Sequence, residues 1–422
     1  MGAPTTHTSN INTAEYRFPL TALLLLAAAI FVAVTSEFVP VGLLQDLAET
    51  FEISESQVGL LVTIFAGAVV LSAAPLTALT RNVPRKQLVI VVLIVFAIGN
   101  LLAALAPTYA VLVIARVIGG VAHGLFWSIV GAYTGYLVPK RHLGRAVAIT
   151  SGGGSAAFVL GVPLGTALGH AVGWRMTFGV IAALIIVILL LVVKFLPAIS
   201  HGVELKTGEI ALPMRKDKTV LGVVLLCVIV LITMNAHYIF YTYITPYLTD
   251  VAAFDPDNIA SILFLFGGAG AIGLVISGLV ADRYPRAGLV VAFLIVAACV
   301  LVLAIWHNNT AIVLGAIVVW AIAFGGAPAM MQTRLLHTAS PRVRDAASAW
   351  YTTSFNAAIG LGALIGGGLL DAYSLEILPY IDVALLIVGI VFLLVSNTIV
   401  QRRTISSDVS LSTGSISTVG TP

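Results

Sequence analysis

Residues 19–44 read PLTALLLLAAAIFVAVTSEFVPVGLL, an apolar run in which Glu37 is the one charged residue. At about 1.5 Å per residue, about 20 such residues in a helix cross a hydrocarbon core about 30 Å thick. The pattern recurs along the chain, where 59% of the 422 residues are hydrophobic and only 9% are charged. A soluble protein of this length could not cover its surface with so little charge. Because the runs are continuous and lack strict alternation, we predict an all-α membrane protein and not a β-barrel.

Twelve apolar runs long enough to span a membrane divide the chain. We place them at 19–44, 57–79, 87–106, 109–137, 145–170, 176–197, 219–247, 258–280, 287–306, 310–336, 345–370 and 379–400. The first run is too long for the core of a signal peptide, so we interpret it as a retained helix. The longest interior polar stretch separates six spans from six. The predicted domains are an N-terminal tail, a six-helix bundle, a central loop, a second six-helix bundle and a disordered C-terminal tail, at 1–18, 19–197, 198–218, 219–400 and 401–422.

The positive charges predict the orientation of the chain in the membrane. All but two of the 21 Lys and Arg residues fall on one side of the predicted spans, the exceptions being Arg116 and Arg175. Short cytoplasmic loops collect such cations, so we predict cytoplasmic N- and C-termini in a bacterial-type inner membrane. We call this the basic side and its opposite the acidic side. The loops of the acidic side carry Asp46, Glu49, Glu52, Glu55, Asp250, Asp255 and Asp257. The net charge of +3 therefore reflects topology and gives no reason to expect nucleic-acid binding.

Several other classes of protein are disfavoured. Cys227 and Cys299 both fall inside predicted spans, which leaves neither a disulfide framework nor a zinc site. The chain shows no phosphate-binding Gly-rich loop and no nucleophile–base pair or metal cluster. We therefore expect no enzyme activity, no metal and no cofactor, and we expect that this chain alone does not drive transport directly with ATP.

The two halves resemble each other in order and orientation. Residues 39–44, VPVGLL, precede an acidic loop in the first half, and residues 245–248, TPYL, do so in the second. Both halves start on the same side, so the repeat is parallel and its axis runs along the membrane normal. Such a repeat places a binding site between the halves near the midplane and lets the halves rock about it.

Here the motifs resemble those of the major facilitator superfamily. Residues 278–286, GLVADRYPR, are similar to its Gly-x-Leu-Ala-Asp-Arg-x-Gly-Arg loop, with Pro285 in place of the second glycine. Arg81 stands where the first-half copy of that motif carries its acid. The resemblance implies a gate on the basic side that uses Asp282 and Arg283 and cannot use an acid at position 81. Residues 112–120 around Arg116 resemble the superfamily's motif in span 4.

A closer resemblance is to the drug:proton antiporter type and, within it, to the bacterial sugar efflux branch. Gly161, Pro163 and Gly165 resemble the antiporter motif of span 5, although Val162 interrupts its Gly-Pro pair. The segments that resemble the sugar efflux branch occur in order in both halves, at 35–44, 122–129, 173–178, 236–243 and 355–360. The resemblance implies that protons enter the cell in exchange for small sugars of the arabinose and galactoside class.

Glu37 and His123 are the candidates for proton coupling. A carboxyl group inside the membrane can alternate between proton-loaded and proton-free states as its access changes sides. His123 follows Arg116 by two helical turns and can either relay protons or donate a hydrogen bond to a hydroxyl group. Permanent pairing of Glu37 and a structural role for His123 remain open alternatives. Arg116 is too costly to face lipid, so we expect it to meet an acid or carbonyl groups in the interior. We predict a gating or conformational role for it, and direct contact with the substrate is the open alternative.

Sugars need hydrogen-bond partners for their hydroxyl groups and an aromatic plane against their C–H faces. Span 7 concentrates such side chains, and Trp127 of span 4 could supply the plane. The predicted substrate-binding residues are Phe38, His123, Trp127, Asn235, His237, Tyr238, Tyr241, Gln332 and Asn356. A broad multidrug exporter is the alternative within transporters, since an aromatic cavity also accepts lipophilic compounds. A membrane solute receptor without transport is the alternative from another class. We expect the protein to be a monomer whichever of these functions it has.

Overall fold

The computed structural model is all helical over the residues it describes, which are 18–80, 82–139, 142–198, 217, 219–284, 287–340 and 343–414. Twelve helices in this part of the chain are long and apolar enough to cross a membrane, which confirms the predicted fold class. We number them α1 Leu20–Gly42, α2 Glu55–Leu79, α3 Arg85–Ala104, α4 Tyr109–Leu137, α5 143–172, α6 Trp174–Phe195, α7 Val220–Tyr241, α8 Ile259–Arg283, α9 Ala287–Ile305, α10 310–338, α11 Arg344–Ala372 and α12 Leu378–Gly414.

Two of these helices are interrupted. Helix α5 consists of the α-helices Leu143–Ala156 and Val162–Val172 joined by a π-helical turn, Ala157–Gly161. Helix α10 breaks at Gly326, between Thr310–Gly325 and Ala327–Thr338. Such turns commonly occur at functional sites, because they change the direction in which neighbouring side chains point.

Two helices end before the predicted spans do, because the helix breaks. Helix α1 ends at Gly42 and a separate short helix, Leu44–Phe51, follows it. Helix α7 ends at Tyr241 and not near residue 247. Both breaks lie within apolar sequence, so hydropathy could not locate them.

The predicted disordered tail also differs from the structure. The backbone of α12 is helical to Gly414, well beyond the predicted end of the span at residue 400. The segment between Asn397 and Gly414 contains neither glycine nor proline, so nothing in its backbone chemistry ends the helix earlier. The N-terminal tail to residue 17 and nearly all of the central loop lie outside the described residues.

Helices α1–α6 pack into one bundle and α7–α12 into another, and the bundles meet along α2 with α11 and along α5 with α8. In a parallel repeat of six helices, α2 corresponds to α8 and α5 corresponds to α11, so these two contacts are equivalent. The second contact is close, because a Cβ atom at Gly267 of α8 would lie 2.1 Å from the carbonyl oxygen of Phe158 in α5. Glycine is therefore required where the two backbones approach.

Hydrogen bonds join the two bundles on the acidic side. Gln45 Nε2 donates to Thr249 Oγ1 at 2.8 Å, and Ser56 Oγ donates to an Asp371 carboxylate oxygen at 2.8 Å. Nearer the middle, Thr63 Oγ1 donates to the carbonyl oxygen of Gly360 at 2.9 Å. The structure thus has the acidic side closed, and the space between the bundles lies toward the basic side.

Candidate functional site

A cavity of about 350 Å³ lies between the two bundles, walled by α1, α4 and α5 on one side and by α7, α8, α10 and α11 on the other. It extends toward the basic ends of α10 and α11 through Gln332 and Thr352. Most of the residues predicted for proton coupling and substrate binding line it. These are Glu37, Phe38, His123, Trp127, His237, Tyr238, Tyr241, Gln332 and Asn356.

Glu37 of α1 and His123 of α4 meet at the wall of this cavity. Glu37 Oε2 lies 3.3 Å from His123 Nε2, and the side chains are 6% and 1% exposed. Trp127 Nε1, one turn further along α4, donates a hydrogen bond to the same His123 Nε2. His123 Nδ1 is buried and has no hydrogen-bond partner among the described residues. The Glu37 carboxyl group and the Trp127 indole thus both approach the same imidazole nitrogen, His123 Nε2.

Arg116 holds the backbone of α1 where Glu37 is attached. Its Nη1 and Nη2 donate to the carbonyl oxygens of Ser36 and Glu37, at 2.7 and 2.8 Å, and its guanidinium lies 4.2 Å from the centre of the Phe65 ring. Of the two partners expected for this cation, an acid or carbonyl groups, the hydrogen bonds go to carbonyls. The positive charge nevertheless lies near the Glu37 carboxyl group and would stabilise its ionised form electrostatically.

Asn100 is a supporting residue that its sequence context did not single out. Ser36 Oγ donates to Asn100 Oδ1 at 2.8 Å, and both side chains are buried. This bond ties α3 to the segment of α1 that carries Glu37. The one available signal was an amide within an otherwise apolar span, and such an amide is also common where two helices simply join.

The second bundle contributes an aromatic wall. The His237 ring stacks on Phe324, with centroids 3.6 Å apart and planes 15° apart, and on Tyr241 at 5.1 Å and 17°. His237 Nδ1 is buried without a partner among the described residues. Phe324 was not predicted, because aromatic residues of apolar spans give no sequence signal that separates a cavity wall from a packed core. The same holds for Phe158, Phe266 and Phe355, which also line the cavity.

Aromatic rings of the two bundles meet at the end of the cavity toward the acidic side. Phe38 of α1 stacks on Tyr238 of α7, with centroids 6.0 Å apart and planes 22° apart, and lies 4.9 Å from the Phe158 ring of α5. All three rings line the cavity.

Asn235 does not line the cavity. Its Nδ2 donates to the carbonyl oxygen of Ala358 at 3.5 Å, which places the amide between α7 and α11. The prediction of Asn235 as a substrate-binding residue took no account of α11, which packs against α7. The position is that of an amide joining two helices of one bundle.

The glycines of the predicted antiporter motif pack α5 against α1. A Cβ atom at Gly161 would lie 1.9 Å from Thr35 Oγ1, and one at Gly165 would lie 2.7 Å from Val39 Cγ2. Pro163 lies in the first turn of the helix that follows the π turn. The motif therefore lies directly behind the segment of α1 that carries Glu37.

The side chains of the predicted gate on the basic side lie outside the described part of the structure. Arg81 lies outside the described residues, as do the side chains of Asp282 and Arg283, whose backbone forms the end of α8.

In the part of the chain that the structure describes, twelve helices of membrane-spanning length form two equivalent bundles around a central cavity, which is the architecture of a polytopic membrane transporter and not of an enzyme. The family profile described as Major Facilitator Superfamily matches residues 26–276 and 226–414. The chain belongs to the major facilitator superfamily.

Solved structures of transporters share this fold. The crystal structure of the human organic anion transporter TETRAN aligns with a TM-score of 0.70 and 15% identity, over 90% of this chain and 100% of that one. A bacterial homologue of the human lysosomal transporter Spinster, inward-facing and occupied, aligns with a TM-score of 0.70 and 16% identity, over 90% and 96%. A D-xylose-proton symporter aligns with a TM-score of 0.73 and 15% identity, over 89% and 97%. At these identities the similarity establishes the fold alone.

Proposed function

We propose that this transporter exports a small neutral hydroxylated solute, of the sugar class, in exchange for protons. We rest this on one contact, the 3.3 Å approach of the Glu37 carboxyl group to the His123 imidazole at the wall of the central cavity. An ionisable residue inside the membrane is costly and is retained where it binds an ion, a proton or a substrate. Here it lies where a solute would bind, so one conformational change can expose both to the other side.

The polar groups of the cavity favour a hydroxylated solute. Gln332, Thr352 and Asn356 supply amide and hydroxyl groups from the second bundle, and the Trp127 indole lines the same cavity from the first. Stacked rings beside them offer apolar planes to the C–H faces of a sugar. The volume of about 350 Å³ lies near the lower end of the range of about 300–1,000 Å³ for small-molecule pockets.

The aromatic wall supports a second candidate, a broad-specificity multidrug:proton antiporter. Phe158, Phe266, Phe324 and Phe355 present apolar rings to the same cavity. A lipophilic drug could pack against these rings without using the amide groups. Removal of the Gln332 and Asn356 amides should abolish transport by a sugar exporter. The same change should leave transport by a multidrug exporter intact.

The arrangement in the cell follows from the charge distribution. We propose a monomer in the cell membrane, of the bacterial inner-membrane type, with the basic side and both termini in the cytoplasm. Protons would then enter from the acidic side and the solute would leave toward it, with the proton gradient as the energy source.

Transport by the purified protein in proteoliposomes tests this function. With an acidic lumen and a neutral exterior, we expect radiolabelled arabinose to accumulate as protons leave, and Glu37→Gln to abolish accumulation while arabinose binding stays measurable. Glu49→Gln, the same change at an exposed position of the short helix Leu44–Phe51, serves as the control and should transport normally.

The other outcomes identify the alternatives. Accumulation of lipophilic dyes without arabinose would favour the multidrug exporter, and binding without any flux would favour a solute receptor. Full pH-driven accumulation by the Glu37→Gln protein would exclude Glu37 as the proton carrier.

A further inference from the structure

We propose that Trp127 links solute binding to proton release, because its indole N–H and the Glu37 carboxyl group compete for His123 Nε2. This inference rests on the proposed function and names a positioning residue within it. The relevant geometry is the hydrogen bond from Trp127 Nε1 to His123 Nε2 and the 3.3 Å distance from that nitrogen to Glu37 Oε2. His123 Nδ1 has no partner among the described residues, so Nε2 makes all polar contacts of the ring described here.

A neutral imidazole nitrogen carries either a lone pair or a hydrogen atom, and never both. While the Trp127 indole donates to Nε2, that nitrogen holds a lone pair and the ring hydrogen is on Nδ1. An ionised Glu37 carboxylate would then face a lone pair at 3.3 Å with no hydrogen between them. The observed arrangement therefore belongs to a Glu37 that carries its proton.

The opposite arrangement releases the indole. When the ring hydrogen is on Nε2, it can be donated to an ionised Glu37 carboxylate, and the indole N–H must find another acceptor. Trp127 lines the cavity, so a hydroxyl oxygen of a bound solute can be that acceptor. A solute that accepts a hydrogen bond from the Trp127 indole thus favours the state in which His123 donates a hydrogen bond to Glu37.

The proton balance gives the direction of coupling. Before binding, one hydrogen is on the Glu37 carboxyl group and one is on His123 Nδ1. After binding, one hydrogen is on Nε2, shared with the carboxylate, and the other has left to water. One proton is released for each solute bound, and no covalent bond to the solute forms. Release of a proton on solute binding is what exchange transport requires.

The surroundings of the pair stabilise both states. Arg116 of α4 is the cation beside Glu37, and Tyr238 of α7 is the titratable residue that faces it from the second bundle. Phe65 of α2 and Phe96 of α3 contact the His123 ring edge-on, and neither carries a charge. The charge of Arg116 offsets the carboxylate charge after the proton leaves, so the released state does not leave a buried anion without compensation.

Trp127→Phe tests the competition, since it removes the N–H and keeps an aromatic ring. The direct observable is the ¹⁵N–H resonance of the Trp127 indole in the full-length protein, assigned by its absence in the Trp127→Phe variant. We expect this resonance to shift in one step as pH rises, without any solute, and the step to vanish in Glu37→Gln. Trp320 provides the matched control, because its buried indole N–H has no acceptor among the described residues, and its resonance should not take part in the step.

The second measurement uses arabinose as the probe. Calorimetry in two buffers of different ionisation enthalpy should show proton release on binding to the native protein. Trp127→Phe should bind about fivefold more weakly, the loss of one hydrogen bond, and release few or no protons, while Trp320→Phe should behave as the native protein does.

A Trp127 resonance that does not respond to pH, or undiminished proton release by Trp127→Phe, would overturn the proposal. If arabinose does not bind the native protein, the proposed solute class is wrong, whereas the indole titration still decides whether Trp127 and Glu37 compete.

Discussion

Arg116 on α4 donates a hydrogen bond from Nη1 to the carbonyl oxygen of Ser36 on α1, at 2.7 Å. In an uninterrupted helix that carbonyl would accept from the N–H of residue 40. Residue 40 is proline and has no N–H, so Arg116 supplies the donor that the helix lacks. The proline and the arginine together place a charged group against the backbone of α1 beside Glu37.

We expect Arg116→Leu to destabilise the protein, because two buried carbonyl oxygens lose a charged donor, each at about 1–3 kcal/mol. Pro40→Ala restores the N–H that Ser36 needs. In the Pro40→Ala background, Arg116→Leu should therefore cost about 1 kcal/mol less than in the native background. Thermal unfolding midpoints of the four proteins in detergent measure this difference. Strictly additive effects would show that Arg116 does not replace the missing donor.

The contact between α5 and α8 predicts that alanine substitution will have opposite effects on stability at two neighbouring glycines. At Gly267 a methyl group would lie 2.1 Å from the Phe158 carbonyl oxygen, whereas at Gly268 nothing lies within 4 Å. Gly267→Ala should cost about 1–3 kcal/mol through overpacking, and it should slow transport because the bundles separate here. Gly268→Ala should be neutral or slightly stabilising, since alanine favours helix. Equal stability of the two variants would mean that the bundles do not approach this closely.

Asp382 of α12 is fully buried, and neither carboxylate oxygen has a hydrogen-bond partner among the described residues. A buried carboxyl group without a partner costs stability. We therefore expect Asp382→Leu to raise the thermal unfolding midpoint and to leave arabinose transport unchanged. Glu37→Leu is the contrasting variant, which should lose pH-driven transport. Loss of transport by Asp382→Leu with unchanged folded yield would instead assign Asp382 a part in the transport cycle.

The hydrogen bond between Gln45 and Thr249 predicts that a covalent link at this point holds the acidic side closed. We expect a protein with Gln45→Cys and Thr249→Cys, in a Cys227→Ser and Cys299→Ser background, to lose transport on oxidation and to regain it on reduction. The control is Asp46→Cys with His170→Cys, two positions within the first bundle whose native side chains meet, with His170 Nε2 lying 3.3 Å from Asp46 Oδ2. Oxidation of this pair should not stop transport. Undiminished transport by an oxidised Gln45–Thr249 pair would show that the acidic side need not open there.

The membrane spans could be predicted closely from sequence. The fourth predicted span, 109–137, has the bounds of α4, and the second begins within two residues of α2. Apolar length is a local property, so each span can be recognised without its neighbours. Helix breaks inside apolar sequence, such as the one after Gly42, depend on packing and were missed.

The cavity residues were predicted in part. Polar and aromatic side chains that are unusual inside a span, such as His123 and His237, stood out and do line the cavity. Asn235 stood out in the same way but packs between α7 and α11. Phe158 and Phe324 did not stand out, because an aromatic ring is ordinary in an apolar helix. Residue type indicates an interior position, and only the packing of neighbouring helices tells which interior surface it faces.

The amino-acid sequence by itself determined that the protein is a helical membrane transporter of two similar halves, since apolar length, loop charge and repeated motifs are properties of short segments. The tertiary structure alone decided that Glu37 and Trp127 both approach Nε2 of His123, and that Arg116 donates hydrogen bonds to the carbonyl groups of α1. Glu37 is far along the chain from the other three, and a distance between atoms of different helices depends on how those helices pack. The apolar sequence at 19–44 thus singled out the Glu37 carboxyl group, and the packing of α4 against α1 determined which groups it meets.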